Sequence, residues 1–379
     1  MKKDPVLLMI FSILIAAGGA RPAAGGDEGA GARSILTLDE AVELALAGNP
    51  VLRAAGLAAA AADAGAEQAG AFANPELTYE LENAWGTGAM SGTDKAESTL
   101  LLTQEIRTWG KRSKAKRLAA AESGISRLEL EALRRETISA TEILFIDLLA
   151  AQSAAGTARE MMDLSAELLD AARERVESGK VAPIEERKAA VLYSTSRLER
   201  DRAMRGRKVA RIRLASMWGA GEARFGEAAG DLEEIGPPIA PDPIDGLMAD
   251  NPGLSIAAME VEGRRAALSL EKAMRMPDIV LSGGTRRFGE TGERALVFGV
   301  SMPFPLFDRN EAAIREARYG MERAEEQRKG AELSLRTRIL EALEELGSAR
   351  EVAVAFAGEV LPVAMNAFEM ASEGYMEGK

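Results

Sequence analysis

In Asn74-Pro75-Glu76-Leu77-Thr78-Tyr79-Glu80-Leu81-Glu82-Asn83, the apolar residues Leu77, Tyr79 and Leu81 alternate with Thr78, Glu80 and Glu82. Successive side chains of a strand point to opposite faces, so this alternation predicts one apolar and one polar face. Pro75 stops the helix that precedes it. A glycine-rich loop from Gly86 to Gly92 follows, and Leu100 and Leu102 then resume the strand pattern. About 200 residues further on, Ile279 to Thr285 and then Leu296, Phe298, Val300 and Met302 repeat it. The chain is therefore expected to carry four strands, in hairpins at about 76–106 and 278–303. Strands of roughly ten residues fit the wall of a transmembrane β-barrel; a small water-soluble sheet is the other use of such a pattern.

The segments around the hairpins recur as well. Ala47-Gly48-Asn49-Pro50 is matched by Ala249-Asp250-Asn251-Pro252, Asn74-Pro75 by Met276-Pro277, and Glu177-Ser178-Gly179-Lys180 by Met376-Glu377-Gly378-Lys379. Their shared order and nearly constant spacing identify one unit written twice. The expected layout is a first repeat over 37–218, a Gly- and Pro-rich linker over 219–241, and a second repeat over 242–379.

Each copy reads as helix, strand pair, very long helix. Thr37 and Glu40 form a capping box, each able to satisfy the other's free backbone N–H, and Asn49-Pro50 interrupts the helix they open. From Lys111 to about Glu177 only the isolated Gly124 and Gly156 disturb helical periodicity, which predicts a rod on the order of 100 Å. Leu118, Ala121, Ile125, Leu128 and Ala132 step by three and four residues, as in a coiled-coil seam. Ser178-Gly179-Lys180 and Pro183 turn the chain, and a further helix is expected from Ile184 to Trp218.

Composition narrows the function. Among 379 residues there is no Cys and no His, the net charge is −12, and aromatics make up only 4%. Disulfides, thiol chemistry and a Ser-His-Asp hydrolase are excluded, and an acidic balance disfavours nucleic acid as a partner. The abundant Ala and Leu fit closely packed long helices. Lys2 and Lys3, the apolar stretch Val6–Ala17 and the small residues Gly18, Gly19 and Ala20 make a secretory signal peptide over 1–24, cleaved after Ala20 or Ala24. About 12 apolar residues are too few to span a bilayer, which takes roughly 20, and no later run is expected to be long and apolar enough for a membrane helix.

Four strands cannot close a barrel, and open sheet edges cannot sit in lipid. The expected remedy is a homotrimer with twelve strands, wide enough for a water-filled lumen. At this point the sequence resembles a known family. Leu36-Thr37-Leu38-Asp39-Glu40-Ala41 with Asn49-Pro50, the stretch Ser301-Met302-Pro303-Phe304-Pro305-Leu306-Phe307 and the turn Arg175-Val176-Glu177-Ser178-Gly179-Lys180-Val181 are similar to TolC-type outer-membrane efflux proteins. Asn74 to Asn83, Thr103-Gln104-Glu105 and Gly110-Lys111-Arg112 place it nearest the heavy-metal branch typified by CzcC and CusC. The resemblance implies a mainly α fold with a β-barrel part. Long antiparallel helices would form a periplasmic α-barrel beneath a trimeric twelve-stranded barrel in the lipid of the outer membrane.

It also implies a passive exit duct with no reaction, no cofactor and no bound metal. A periplasmic adaptor would link it to an inner-membrane pump of the RND type. The adaptor-contact tips would be Ser178, Gly179 and Lys180 in copy one, and Glu377, Gly378 and Lys379 in copy two. Copy two stops on its turn, so its returning helix is missing and the chain is expected to be C-terminally truncated. In the family that helix carries the acidic residues lining the periplasmic aperture; Glu185 and Glu186 occupy the equivalent stretch of copy one and are the candidates for lining the mouth. The alternative is an exported coiled-coil scaffold without a pore.

Three other features have plainer readings. Lys111, Arg112, Lys114, Lys116 and Arg117 read as a solvated helix face, although they could touch lipid phosphates at the membrane rim. Gly86-Thr87-Gly88 and Gly219-Ala220-Gly221 lie outside any βαβ unit and are loops. Among sixteen Met, Met161, Met162, Met274 and Met276 are expected to be core filling rather than copper ligands.

Overall fold

The computed structural model describes residues 33–232, 234–237 and 244–377. The signal peptide expected over 1–24 and Gly378 and Lys379, expected at the second tip, lie outside these. The chain opens with β1 (Arg33–Leu36), α1 (Leu38–Gly48) and α2 (Pro50–Ala69). The first hairpin is β2 (Glu76–Glu82) and β3 (Glu97–Ile106), and the long helices α3 (Lys111–Glu177) and α4 (Pro183–Ser216) follow. After β4 (Phe225–Ala228) come α5 (Ile244–Ala249) and α6 (Pro252–Met274). The second hairpin is β5 (Ile279–Phe288) and β6 (Arg294–Ser301), succeeded by α7 (Glu311–Ala355) and α8 (Leu361–Glu377).

The breaks between helices have local causes. The Thr37–Glu40 capping box is formed. Asn49 Oδ1 accepts from Val51 N at 2.8 Å and Leu52 N at 3.2 Å, with Pro50 at the first helical position, and α1 and α2 meet at a 46° bend. Copy two repeats the device: Asn251 Oδ1 accepts from Gly253 N and Leu254 N, followed by Pro252. Gly48 abuts Trp218 so closely that a Cβ would lie 2.7 Å from the Trp218 carbonyl oxygen, which requires glycine there. Between α7 and α8 a π-helical turn spans Phe356–Val360, and Leu361 N–H reaches back to Phe356 O. Pro362 has no N–H and its ring would clash with the carbonyl four residues earlier, so the ladder slips there by one residue.

Helix α3, 67 residues long and so on the order of 100 Å, organises the rest. Along one stretch it is flanked by α2 and α6, and further on it pairs with α4. Asp63 of α2 accepts hydrogen bonds from Ser123 Oγ and Arg127 of α3. The Ser123 hydroxyl and then the Arg127 guanidinium hold the Asp63 carboxyl below its ordinary value. Ala121 faces Gly263 of α6, where two small residues permit close approach of the helices.

The buried core lies where α1, α3 and α4 meet a two-stranded parallel sheet. Leu36, Phe145, Leu148, Leu214 and Phe225 fill it. That sheet joins β1 to β4, with Ile35 opposite Glu227, and Gln152 of α3 clamps it: Nε2 donates to Ala228 O at 3.0 Å and Oε1 accepts from Ala228 N at 2.8 Å. The segment expected to be a bare linker therefore contains a strand.

Three expectations are corrected. Among the described residues two helices are long and apolar enough to cross a membrane by length and composition, α3 and the helix from Glu311 to Ala371. A helix packed on more than one side needs more apolar length than a single amphipathic stripe, and α3 places Phe145, Leu148 and Leu149 in the core. Met161 and Met274 are half exposed rather than core filling, because a one-layer wall of helices has little interior. Lys111 is not solvated but only 6% exposed.

Candidate functional site

The second sheet is antiparallel throughout, in the order β2-β3-β5-β6. Its centre joins the two copies, with Leu100 opposite Thr285 and Leu102 opposite Gly283. Within the hairpins Leu77 faces Leu102, Tyr79 faces Leu100 and Gly283 faces Phe298. The register therefore sorts the side chains into two faces. One carries Leu77, Tyr79, Leu81, Leu100, Leu102, Leu281, Leu296, Phe298 and Val300. These are large and exposed, Phe298 at 79%, and among the described residues no other part of the chain covers them. A water-soluble sheet would bury such a face, whereas lipid covers it without a protein partner.

The other face is acidic on β2 and β3 and mixed on β5 and β6, where the register places Val280, Ser282, Phe288 and Val297. Glu76, Thr78, Glu80 and Glu82 stand on β2, and Glu97, Thr99, Thr103 and Glu105 on β3. Arg286 is the one cation of the four strands on this face. Glu82 lies directly opposite Glu97, a like-charge pair that costs stability. Arg286 resolves it, with Nη2 3.3 Å from Glu82 Oε2 and Nη1 3.4 Å from Glu97 Oε2, while Nε donates to Thr99 Oγ1 at 2.9 Å. The alternation of residues 76–82 exposes the Glu ladder to inspection. Arg286 has no such signal in the sequence, because only the pairing of the two copies brings it to Glu82.

The hairpins are anchored where they meet the helices. Lys111 Nζ lies 2.8 Å from Asp278 Oδ2, and Thr108 N donates to Asp278 Oδ1 at 2.8 Å. Burial pushes the Asp278 carboxyl up, but the Lys111 ammonium and the Thr108 N–H outweigh it and hold the group below its ordinary value. Arg112, one residue on, stacks its guanidinium 3.6 Å over the exposed ring of Phe72. At the opposite end Lys95 and Glu290 join the two hairpin loops by an ion pair of 3.0 Å.

At the far end of α3, Ser178 caps the helix and Gly179 has φ +72. Lys180 N–H donates back to Arg175 O at 2.9 Å, and Ser178, Gly179 and Lys180 are all exposed. Glu185 and Glu186 lie in the first turn of α4, where carboxylates favour the helix dipole. Glu185 pairs with Lys188 at 2.9 Å and Glu186 with Arg173 at 3.3 Å. In copy two Glu377 is the last residue of α8. Among the described residues no group of three or more metal-ligand side chains could hold a metal ion.

Comparison with known proteins agrees with this architecture. The chain is 29% identical over 344 residues to the cobalt-zinc-cadmium resistance protein CzcC of Cupriavidus metallidurans, covering 91% of this chain and 81% of that one. It is 30% identical over 278 residues to the nickel and cobalt resistance protein CnrC of the same organism, covering 72% of this chain and 64% of that one. Among solved structures, a membrane protein from Pseudomonas aeruginosa superposes with a TM-score of 0.74 at 20% identity, covering 90% of this chain and 84% of that one. The outer membrane protein VceC from Vibrio cholerae superposes with a TM-score of 0.71 at 20% identity, covering 90% and 86%. A description of the family Outer membrane efflux protein matches residues 41–220 and 244–379. The chain belongs to the outer membrane efflux protein family.

Proposed function

We propose that this chain is one of three identical staves of a channel through which small solutes leave the cell. It is the outer-membrane component of an efflux system, with its β-hairpins in the membrane and its long helices in the periplasm. The observation that carries the assembly is the four-stranded sheet, open at β2 and β6, exposed and apolar on one face and, on the β2–β3 half of the other, acidic. Open edges cannot persist in lipid, and three such sheets edge to edge make a twelve-stranded barrel whose apolar face meets the bilayer. The other face then lines the water-filled lumen.

The cargo in this reading is metal cations. Two lines support it: the metal-resistance functions named for CzcC and CnrC, and an acidic lumen, whose field concentrates cations. The duct is passive; it catalyses nothing, holds no cofactor, and takes its driving force from an inner-membrane pump of the RND type through a periplasmic adaptor. The adaptor meets the tips at Ser178–Lys180 and Glu377–Lys379, and Glu185 and Glu186 stand near the periplasmic mouth. The organisation follows as a leader over 1–24, two repeats over 37–218 and 242–379, and a joint over 219–241.

The test is the purified chain in detergent. Light scattering is expected to give a trimer, and planar bilayers are expected to show cation-selective conductance steps. A monomer that never conducts would instead assign the chain to the scaffold alternative.

A further inference from the structure

On the apolar face of the sheet two residues carry charge. Arg287 of β5 lies directly opposite Arg294 of β6, on the same face as Leu296 and Phe298, and both are exposed. Opposed side chains of an antiparallel pair have their Cβ atoms about 5 Å apart, and like charges so placed repel. Neither has an ion-pair partner among the described residues, whereas Arg286, on the other face, is matched by two carboxylates. Charges on edge strands often guard against aggregation; that accounts for Arg294 but not for Arg287, which lies on an interior strand.

Closing the barrel does not supply a counter-charge. The strand that would join β6 is the neighbouring copy's β2, whose positions on this face are Leu77, Tyr79 and Leu81. Height along the strand points to what does. Arg287 is eight residues from Ile279, about 26 Å along the strand at 3.3 Å per residue; at a barrel strand tilt of roughly 40° this is about 20 Å along the membrane normal, in the upper part of an apolar band about 25 Å tall and well away from its midplane. Lipid-facing charges are tolerated at that level and not at the midplane. The helices are periplasmic, so this is the outer rim.

We propose that Arg287 and Arg294 together clamp a phosphate-bearing headgroup of an outer-leaflet glycolipid. Two adjacent guanidiniums present parallel N–H groups that match phosphate oxygens in pairs, and bound phosphate replaces their mutual repulsion by attraction. The pair is confined to copy two; the equivalent level of copy one holds Leu81 opposite Ser98. A trimer would therefore carry three such clamps. The assignment rests on the membrane-spanning reading of the sheet.

The test measures binding of a fluorescent bisphosphorylated lipid A, and of its dephosphorylated form, to the full chain in detergent micelles. The parent chain is expected to prefer the phosphorylated lipid about tenfold, and 0.5 M NaCl to weaken that preference. Arg287→Gln with Arg294→Gln is expected to abolish it, while Arg287→Lys with Arg294→Lys, a charge-conserving control for folding, keeps most of it. Equal binding of the two lipids by the parent, or a preference that survives the double Gln variant, would overturn the clamp alone. A parent that binds neither lipid would overturn the clamp and the lipid-facing sheet together.

Discussion

Lys111 Nζ lies 2.8 Å from Asp278 Oδ2 across the boundary between the two repeats, at the point where α3 leaves the sheet and β5 enters it. The lysine is almost wholly buried and the aspartate largely so. The same carboxylate accepts from Thr108 N, and Thr108 Oγ1 donates to Pro277 O at 2.7 Å. The strand pair β3–β5 and the longest helix are thus fixed to one another by a single carboxylate. Asp278→Asn is expected to lose about 2 kcal/mol of stability, the size of a hydrogen bond to a charged group, because a buried ammonium is left without its partner. Adding Lys111→Met is expected to recover part of the loss. Denaturation of the two variants against the parent measures both.

Acid acts on the same pair. Asp278 titrates lower in the folded chain than in the unfolded one, so its contribution is complete above the unfolded value of about 3.9 and is lost as pH falls through the folded value. Parent and Asp278→Asn are therefore expected to differ by a constant amount between pH 7 and about pH 5 and to converge below about pH 4. Unfolding midpoints at a series of pH values test this, and a gap that widens in acid would contradict the assignment.

Arg286 is expected to set the charge of the outer end of the lumen. Removing it by Arg286→Gln leaves Glu82 and Glu97 facing each other uncompensated, so the channel should favour cations more strongly. The change in permeability ratio is on the order of twofold, as for one screened charge per protomer in a wet pore. Glu82→Gln shifts the ratio the opposite way. Reversal potentials in a salt gradient distinguish the two, and Arg286→Gln with an unchanged ratio would place this face outside the conducting path.

Gln152 is expected to hold the N-terminal segment to the body. Its amide satisfies both backbone groups of the buried Ala228, so Gln152→Ala should cost about 1–2 kcal/mol and speed hydrogen exchange at Ala228. Gln152→Glu keeps the acceptor for Ala228 N but sets a carboxylate oxygen against the Ala228 carbonyl, and is expected to cost at least as much as Gln152→Ala.

What could be read from the residues follows the range of the interaction. The alternation of Leu77, Tyr79 and Leu81, the break at Asn49-Pro50 and the unbroken run from Lys111 to Glu177 are local signals, and each appears in the structure as the corresponding element. The strands β1 and β4 left no such trace. Each has four residues, too short for a period-two pattern, and they exist because a segment near residue 35 meets one near residue 227. Arg286 beside Glu82, Asp278 beside Lys111 and the Arg287–Arg294 pair are likewise products of register. Their residue types are plain in the sequence, but not their neighbours. The turn at Ser178–Lys180 is legible because a turn between two helices is itself local.

The turn at that tip separates structure from recognition. Gly179 holds φ +72, a conformation that costs a side chain about 1 kcal/mol or more, so Gly179→Val is expected to destabilise the α3–α4 hairpin. Lys180 contributes to the turn through its backbone N–H, which donates to Arg175 O, and its side chain projects from an exposed position. Lys180→Glu therefore leaves the turn intact and should not move the unfolding midpoint. If this tip meets the adaptor, Lys180→Glu reduces co-purification with that adaptor and lowers the metal tolerance of cells that depend on the channel, without any loss of folded protein. Unchanged co-purification and tolerance in Lys180→Glu, alongside a destabilised Gly179→Val, would leave the tip with a structural role only.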